Sequence, residues 1–253
     1  MVQVNSLVAV ALSTYLLVGI LLFVFQRDFL YFLTAKSLHR LTIETFSNQG
    51  QRIEAVVLNA GNDSAILYFG GNAEAAFDNA PSLAKALPEH TLYLVNYRGY
   101  IGSSGSPTEK ALYSDAQSIY DAVENRHTNV SVIGRSLGSG VATLLASTRE
   151  VSQLVLITPY DSIQRIAQDR FPLYPMTLLL KDRYNSVDRI PAIKSKTLVI
   201  LAEHDEVIPV KYSARLIDAF PEQQVSVKII AGAGHNSLSN GDEYYALLQH
   251  FIE

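Results

Sequence analysis

Apolar residues fall along this chain in three rhythms. The first is unbroken: from Val2 to Gln26 no residue is charged, and Leu7 to Phe25 is almost entirely apolar. A helix of that apolar run rises about 28 Å, close to the roughly 30 Å hydrocarbon thickness of a bilayer. This predicts a single membrane-anchoring helix; the alternative is a hydrophobic helix docked on a globular domain. A cleaved signal peptide fits poorly, because it needs a basic segment before a shorter apolar core. Arg27, Lys36 and Arg40 all follow the run, and the positive-inside tendency then puts the rest of the chain on the cytoplasmic side. The expected division is an anchor over 1–27 and a domain over 28–253. Residues 27–41, aromatic and apolar with a few charges, read as an interfacial segment or as an arm packed on the domain.

The second rhythm is alternation. Residues 41–46 and 52–57 alternate and 64–69 is a short apolar run, with the turn-rich connectors Asn48-Gln49-Gly50 and Asn59-Ala60-Gly61-Asn62-Asp63 between them. Short turns of this kind predict an antiparallel meander of three strands. The third rhythm exchanges strand and helix patterns. Helices are predicted near 73–87, 108–125, just after residue 136, 210–219 and 237–252. Strands are predicted at 91–96, 130–133, 153–158, 197–202 and 225–230. The helix near 108 opens at Ser106-Pro107-Thr108-Glu109, with proline near its first turn. Such exchange implies an α/β fold, a mostly parallel sheet of eight strands covered by helices on both faces. Residues 161–194 are too long for a simple connector. Asp161 and Gln164 look like an N-cap and N3 pair, and the segment reads as a small helical cap over a site or as a ragged crossover helix.

Composition narrows the partners. The net charge of −4 carries no basic excess, so nucleic acid is not expected. There is no cysteine, which removes disulfides, thiolate metal sites and a cysteine nucleophile.

The chemistry gathers on Gly134-Arg135-Ser136-Leu137-Gly138, where an apolar strand turns abruptly into a helix. Glycines on either side let the backbone pass closely and leave Ser136 strained at the apex, its hydroxyl above a helix N-terminus. A serine hydroxyl is a poor nucleophile unless an imidazole takes its proton and a carboxylate orients that imidazole. In parallel sheets such groups belong past the C-terminal ends of strands, here in the order serine, acid, histidine. His235 alone of the six histidines lies just past the last predicted strand, on the small-residue loop Ala231-Gly232-Ala233-Gly234. His39, His90, His127 and His250 lie on the wrong edge or element, and His204 follows a strand too, but no further acid and strand separate it from the serine in the required order. The loop after 197–202 offers Glu203, Asp205 and Glu206. Asp205 is chosen for its reach back toward His235; Asp161, past another strand, is the alternative. Backbone N–H groups of Leu137 and of Asn72, on the Gly70-Gly71-Asn72 loop, are expected to receive a developing oxyanion. No metal or organic cofactor is expected.

Taken in order, several motifs resemble the α/β-hydrolases. More narrowly, they resemble the membrane-anchored serine hydrolases grouped with fungal bud-emergence proteins, animal abhydrolase-domain depalmitoylases and bacterial relatives. The resemblance covers residues 28–253. It rests on Tyr68-Phe69-Gly70-Gly71-Asn72-Ala73, Asn96-Tyr97-Arg98-Gly99-Tyr100, Gly102-Ser103-Ser104-Gly105-Ser106-Pro107-Thr108-Glu109, the Ser136 motif, Thr158-Pro159-Tyr160-Asp161-Ser162-Ile163, Asp182-Arg183-Tyr184, His204-Asp205-Glu206-Val207-Ile208-Pro209 and Gly232-Ala233-Gly234-His235-Asn236. It implies Ser136 as nucleophile, Asp205 as orienting acid and His235 as base. Two departures stand out: Gly70 where the family commonly has histidine, and Asn96 and Ile101 where it has aspartate and glycine. The expected activity is hydrolysis of esters or thioesters of lipid-like or acylated substrates near a membrane. Peptide hydrolysis by the same triad and a non-catalytic membrane-tethered scaffold are the alternatives.

Overall fold

The computed structural model describes residues 2–33, 41–74 and 79–252. Helix α1 (Val2–Leu30) runs without a break through the expected boundary at 27. Its stretch Ser6–Leu30 is long and apolar enough to cross a membrane, and the most apolar part has no buried residue.

A single sheet of eight strands follows: β1 (Ile43–Asn48), β2 (Gln51–Leu58), β3 (Ser64–Phe69), β4 (His90–Val95), β5 (Asn129–Arg135), β6 (Gln153–Ile157), β7 (Lys196–Ala202) and β8 (Val225–Ile230). Their spatial order is β1-β2-β4-β3-β5-β6-β7-β8. Among the described strands, β2 runs antiparallel to both β1 and β4, and all other pairs are parallel.

The expected meander of the first three strands is therefore wrong. Strand β2 pairs with β1 and β4, and β3 lies between β4 and β5. The reason is in the residues of β3: Ala65 to Phe69 are apolar on both faces and all buried. A hairpin partner near a sheet edge buries one face, whereas a strand apolar on both faces is driven to the centre of a covered parallel sheet.

Successive residues of the central strands feed two separate cores, as the period of two requires. Leu67, Val132, Leu156 and Val199 pack under α3 (Glu109–Glu124) and α4 (Leu137–Thr148). Ile66, Ile133, Val155 and Ile200 pack under α2 (Ala80–Ala86) and, by way of Tyr244, Leu248 and Ile252, the C-terminal helix. Helix α3 begins where its cap dictates, the Thr108 hydroxyl accepting from Ala111 N–H at 3.0 Å. Helix α2 is shorter than the predicted 73–87; it starts at Ala80 because Gly71 to Glu74 form a turn instead, and 75–78 lie outside the described residues.

Between β6 and β7, α5 (Ile163–Arg170) and α6 (Met176–Leu179) are followed by a 3₁₀ turn, Val187–Ala192, that anchors through buried Ile190. No residue of α5 is buried, so it rides outside the core. The N-cap of α5 is Ser162, whose hydroxyl accepts from Arg165 N–H, not Asp161. Asp161 accepts from Ser162 N–H instead and faces Arg165 and Arg215. After β7 come α7 (Val210–Ile217) and, last, α8 (Asp242–Ile252).

Helix α1 is fastened to the segment between β6 and β7. Tyr15 and Tyr174 stack at 4.6 Å, and Tyr15 OH donates to Leu173 O. Gln26 accepts from Lys181 N–H and donates to Leu179 O, and Arg27 pairs with buried Asp182 at 2.8 Å. Beyond the helix, Tyr31 is buried with its hydroxyl 2.9 Å from that of Tyr184. Residues 31–33 thus lie as an arm on the domain; of the rest of 27–41, residues 34–40 are outside the described part.

Candidate active site

Ser136 sits between the end of β5 and the start of α4 with φ +48° and ψ −115°. This positive φ is costly for any residue bearing a Cβ. The turn is enforced by packing: a Cβ on Gly138 would lie 2.0 Å from Phe69 O, and one on Gly134 2.4 Å from Gly138 O. Strand and helix therefore touch through bare backbone, and the residue between them is pinned. Strain of this kind costs about 1–3 kcal/mol, while glycine's extra chain entropy costs about 0.5–1 kcal/mol. Ser136→Gly should therefore stabilise the fold by about 1 kcal/mol relative to Ser136→Ala, which keeps the strain. Equal urea midpoints for the two variants would contradict this.

The Ser136 hydroxyl lies 3.0 Å from His235 Nε2, and His235 Nδ1 lies 2.8 and 3.0 Å from the two carboxylate oxygens of Asp205. A carboxylate only accepts, so the proton sits on Nδ1 and Nε2 is left to accept from the serine. All three side chains are largely withdrawn from solvent, where a hydrogen bond is electrostatically stronger than in water. Asp205 is itself fixed by Val207 N–H and Ile208 N–H, which donate to Oδ1 at 2.9 and 2.7 Å.

The other acids of that loop are occupied elsewhere. Glu203 accepts from Gly232 N–H and Glu206 from His235 N–H, so both hold the backbone of the histidine loop. Asp161 is turned toward its two arginines; burial pushes its carboxyl above the ordinary range, against the opposing bond from Ser162 N–H and the charge of Arg165. His204 is exposed beside Glu203, His127 bonds Tyr93 and Asn62, and His90 and His250 lie in β4 and α8. His39 is outside the described residues.

Leu137 is the first residue of α4, and the first N–H groups of a helix have no partner within it. On the facing loop, a Cβ on Gly71 would come within 3.6 Å of the Ser136 Cβ. The Gly71 N–H is taken by Glu74, and Asn72 is next in the chain. The Asn72 side chain is engaged elsewhere. It accepts from Phe32 N–H and Tyr100 OH and donates to Leu30 O, lacing the N-terminal arm to the site.

Two residues beside the site escaped the sequence reading. Glu74 accepts from Tyr68 OH, Asn79 Nδ2 and Gly71 N–H, and it faces Arg135 at 3.5 Å. Arg135 in turn donates to His235 O at 3.1 Å. Burial works against the charge of Arg135, but Glu74 and the neighbouring tyrosines outweigh it and raise its pKa. The available signal was Arg135 itself: an arginine at the buried end of a strand needs a counter-charge close by.

The cleft above Ser136 and His235 has a volume of about 490 Å³ and is bordered by Phe32, Asn72, Val207 and Asn236.

No family model matches the chain. It is 32% identical over 186 residues to an uncharacterized protein of Mycobacterium tuberculosis, covering 70% of this chain and 65% of that protein. It is 32% identical over 165 residues to alpha/beta hydrolase domain-containing protein 17B of Homo sapiens, covering 64% and 56%. The chain thus spans less than two thirds of the length of these relatives. Among solved structures it is similar to Est1E of Butyrivibrio proteoclasticus, with a TM-score of 0.71 at 14% identity, covering 83% of this chain and 97% of that one. An esterase of Pyrococcus furiosus gives 0.69 at 13% identity, covering 87% and 98%. Likeness at such identities is one of fold. Sheet order and the strand-to-helix turn at Ser136 agree with the solved structures, so the chain has the α/β-hydrolase fold, and in sequence it is similar to alpha/beta hydrolase domain-containing proteins.

Proposed function

We propose that the protein is a serine hydrolase that cleaves carboxylic esters or thioesters through an acyl-Ser136 intermediate. The observation that carries this reading is the unbroken hydrogen-bonded run from Ser136 through His235 to Asp205. His235 Nε2 takes the Ser136 proton as Oγ attacks the acyl carbonyl carbon. The oxyanion is received by the backbone N–H groups of Leu137 and Asn72. As the tetrahedral intermediate collapses, the bond to the alcohol or thiol breaks and His235 returns the proton to that leaving group. Water then enters, gives its proton to His235, and releases the acid from Ser136. These steps draw on no metal or organic cofactor.

The exposed apolar length of α1 and its contacts with the segment between β6 and β7 support a membrane anchor with lipid-like or acylated substrates. Enzyme and substrate would then share one interface. The basic residues after the helix favour a cytoplasmic domain.

A turnover series on acyl esters and matching thioesters, from acetyl to palmitoyl, tests the reading alongside labelling by a fluorophosphonate. The expected result is covalent modification of Ser136 and turnover that rises with chain length. Folded protein that neither labels nor turns over any ester or thioester would sink the hydrolase; preference for acetyl would sink the lipid-like substrate alone. Protease digestion of the domain from outside right-side-out vesicles would overturn the cytoplasmic placement.

A further inference from the structure

A second hollow of about 310 Å³ opens beside the cleft, and helix α1 forms one of its walls. Leu22, Phe29 and Leu30 face it from α1, and Ile166, Ala167 and Met176 face it from α5 and α6. Asn72 and Val207 line both it and the cleft. Apart from Arg170, its polar side chains are already committed. Gln26 spends its amide on Phe23 O, Leu179 O and Lys181 N–H, and the Asn72 side chain is filled by Phe32, Tyr100 and Leu30. Arg170 stands exposed at the rim. What remains is a carbon-walled groove running from the serine to the flank of an apolar helix. Such a groove can recognise a hydrocarbon chain but no heteroatom pattern.

Resting on the serine-hydrolase reading, we infer that this groove is the acyl-chain site and that α1 is a working wall of it. The carbonyl sits at Ser136, and an unbranched acyl chain passes between Asn72 and Val207 to lie between α1 and the two cap helices. The anchor then contributes to specificity as well as to location. Each methylene seated there should favour binding about fourfold until the groove is full.

The full-length protein in phosphatidylcholine vesicles is treated with alkyl fluorophosphonates of four and twelve carbons, each ending in a photoactivatable diazirine. After irradiation, the crosslinked residues are mapped by mass spectrometry. The twelve-carbon probe should modify Ser136 and crosslink within residues 22–30 or 163–180; the four-carbon probe should crosslink only around the cleft. Modification of Ser136 with twelve-carbon adducts elsewhere, or with none on protein, overturns the groove and leaves the hydrolase standing. No modification of Ser136 by either probe sinks both. A second measurement is the twelve- to four-carbon ratio of labelling rates, which Ala167→Trp and Leu22→Trp, from opposite walls, should lower at least tenfold. An unchanged ratio in both overturns the proposal. Prior incubation with a lysophospholipid or with an S-acyl cysteine peptide, each of twelve carbons, separates the two sources of such a chain. Protection of Ser136 by one names it, and protection by neither counts against the groove.

Discussion

Ser136→Ala, His235→Ala and the double variant are expected to lose the same factor in kcat, about a million-fold. That corresponds to about 8 kcal/mol of transition-state stabilisation. The losses do not add because the proton taken by His235 Nε2 is the one that Ser136 must give up; with either partner gone, the other has nothing to do. Asp205→Asn should cost less, about ten-thousand-fold, with KM little changed. The amide can donate to Nδ1, which moves the imidazole proton to Nε2, where it faces the serine and cannot accept. Each variant should retain a cooperative urea transition, so that lost turnover is not lost folding. Steady-state kinetics on the best ester of the chain-length series checks all four. A double variant much slower than either single one would show that the two side chains act independently, contrary to their 3.0 Å hydrogen bond.

Breaking the pair between Arg98 and Asp115 should be the costliest change away from the site. Arg98 gives two parallel bonds to Asp115, at 2.9 and 2.5 Å, and the side chains are only 9% and 5% exposed. Asn48 Nδ2 adds a third bond to the same carboxylate at 2.7 Å. The pair thus ties the loop after β4 to α3 and to the end of β1. Asp115→Ala strands a buried guanidinium and an amide without their acceptor, and a loss of about 3–5 kcal/mol is expected. Against a total of about 5–15 kcal/mol for a typical domain, that is a large share. Arg98→Met combined with Asp115→Leu should recover most of it, because a buried ion pair only roughly offsets its own desolvation. Urea unfolding of the full-length protein decides this: the single variant should shift its midpoint without changing the slope. A loss below about 1 kcal/mol would mean that water reaches the pair.

The parts of this fold that could be read from residues are those where one physical demand acts alone. Buried parallel strands are apolar over most of their length, so β6 and β7 are visible as short apolar runs and β5 as the alternating stretch 130–133. The serine's turn was visible because close backbone contact demands glycine at 134 and 138. Reading failed where a long-range choice competes with a local one. Short turns around Gly61 suggested that β2 and β3 pair, but β3's two apolar faces carry it past β2 to the sheet centre. At α5, aspartate and serine stand side by side as possible caps, and Asp161 is turned instead toward Arg165 of α5 itself and Arg215 of α7. The geometry around Ser136, His235 and Asp205 followed from strand ends and chain order. Glu74 could not be found in that way, because its partners Tyr68, Gly71, Asn79 and Arg135 converge only once β3 and β5 lie side by side.

The fastening of α1 to the segment between β6 and β7 has a mechanical consequence. Tyr15, Gln26 and Arg27 grip Leu173, Tyr174, Leu179, Lys181 and Asp182 along three turns of the helix. A domain on a slack tether samples a wide shell of positions, and its encounter with a bound partner weakens as the tether lengthens. Here the helix acts as a splint instead, and Ser136 is held at one height and one tilt relative to the helix axis. Were α1 to stand upright in a bilayer, as proposed above, the serine would become a gauge, meeting only scissile bonds that lie at one depth.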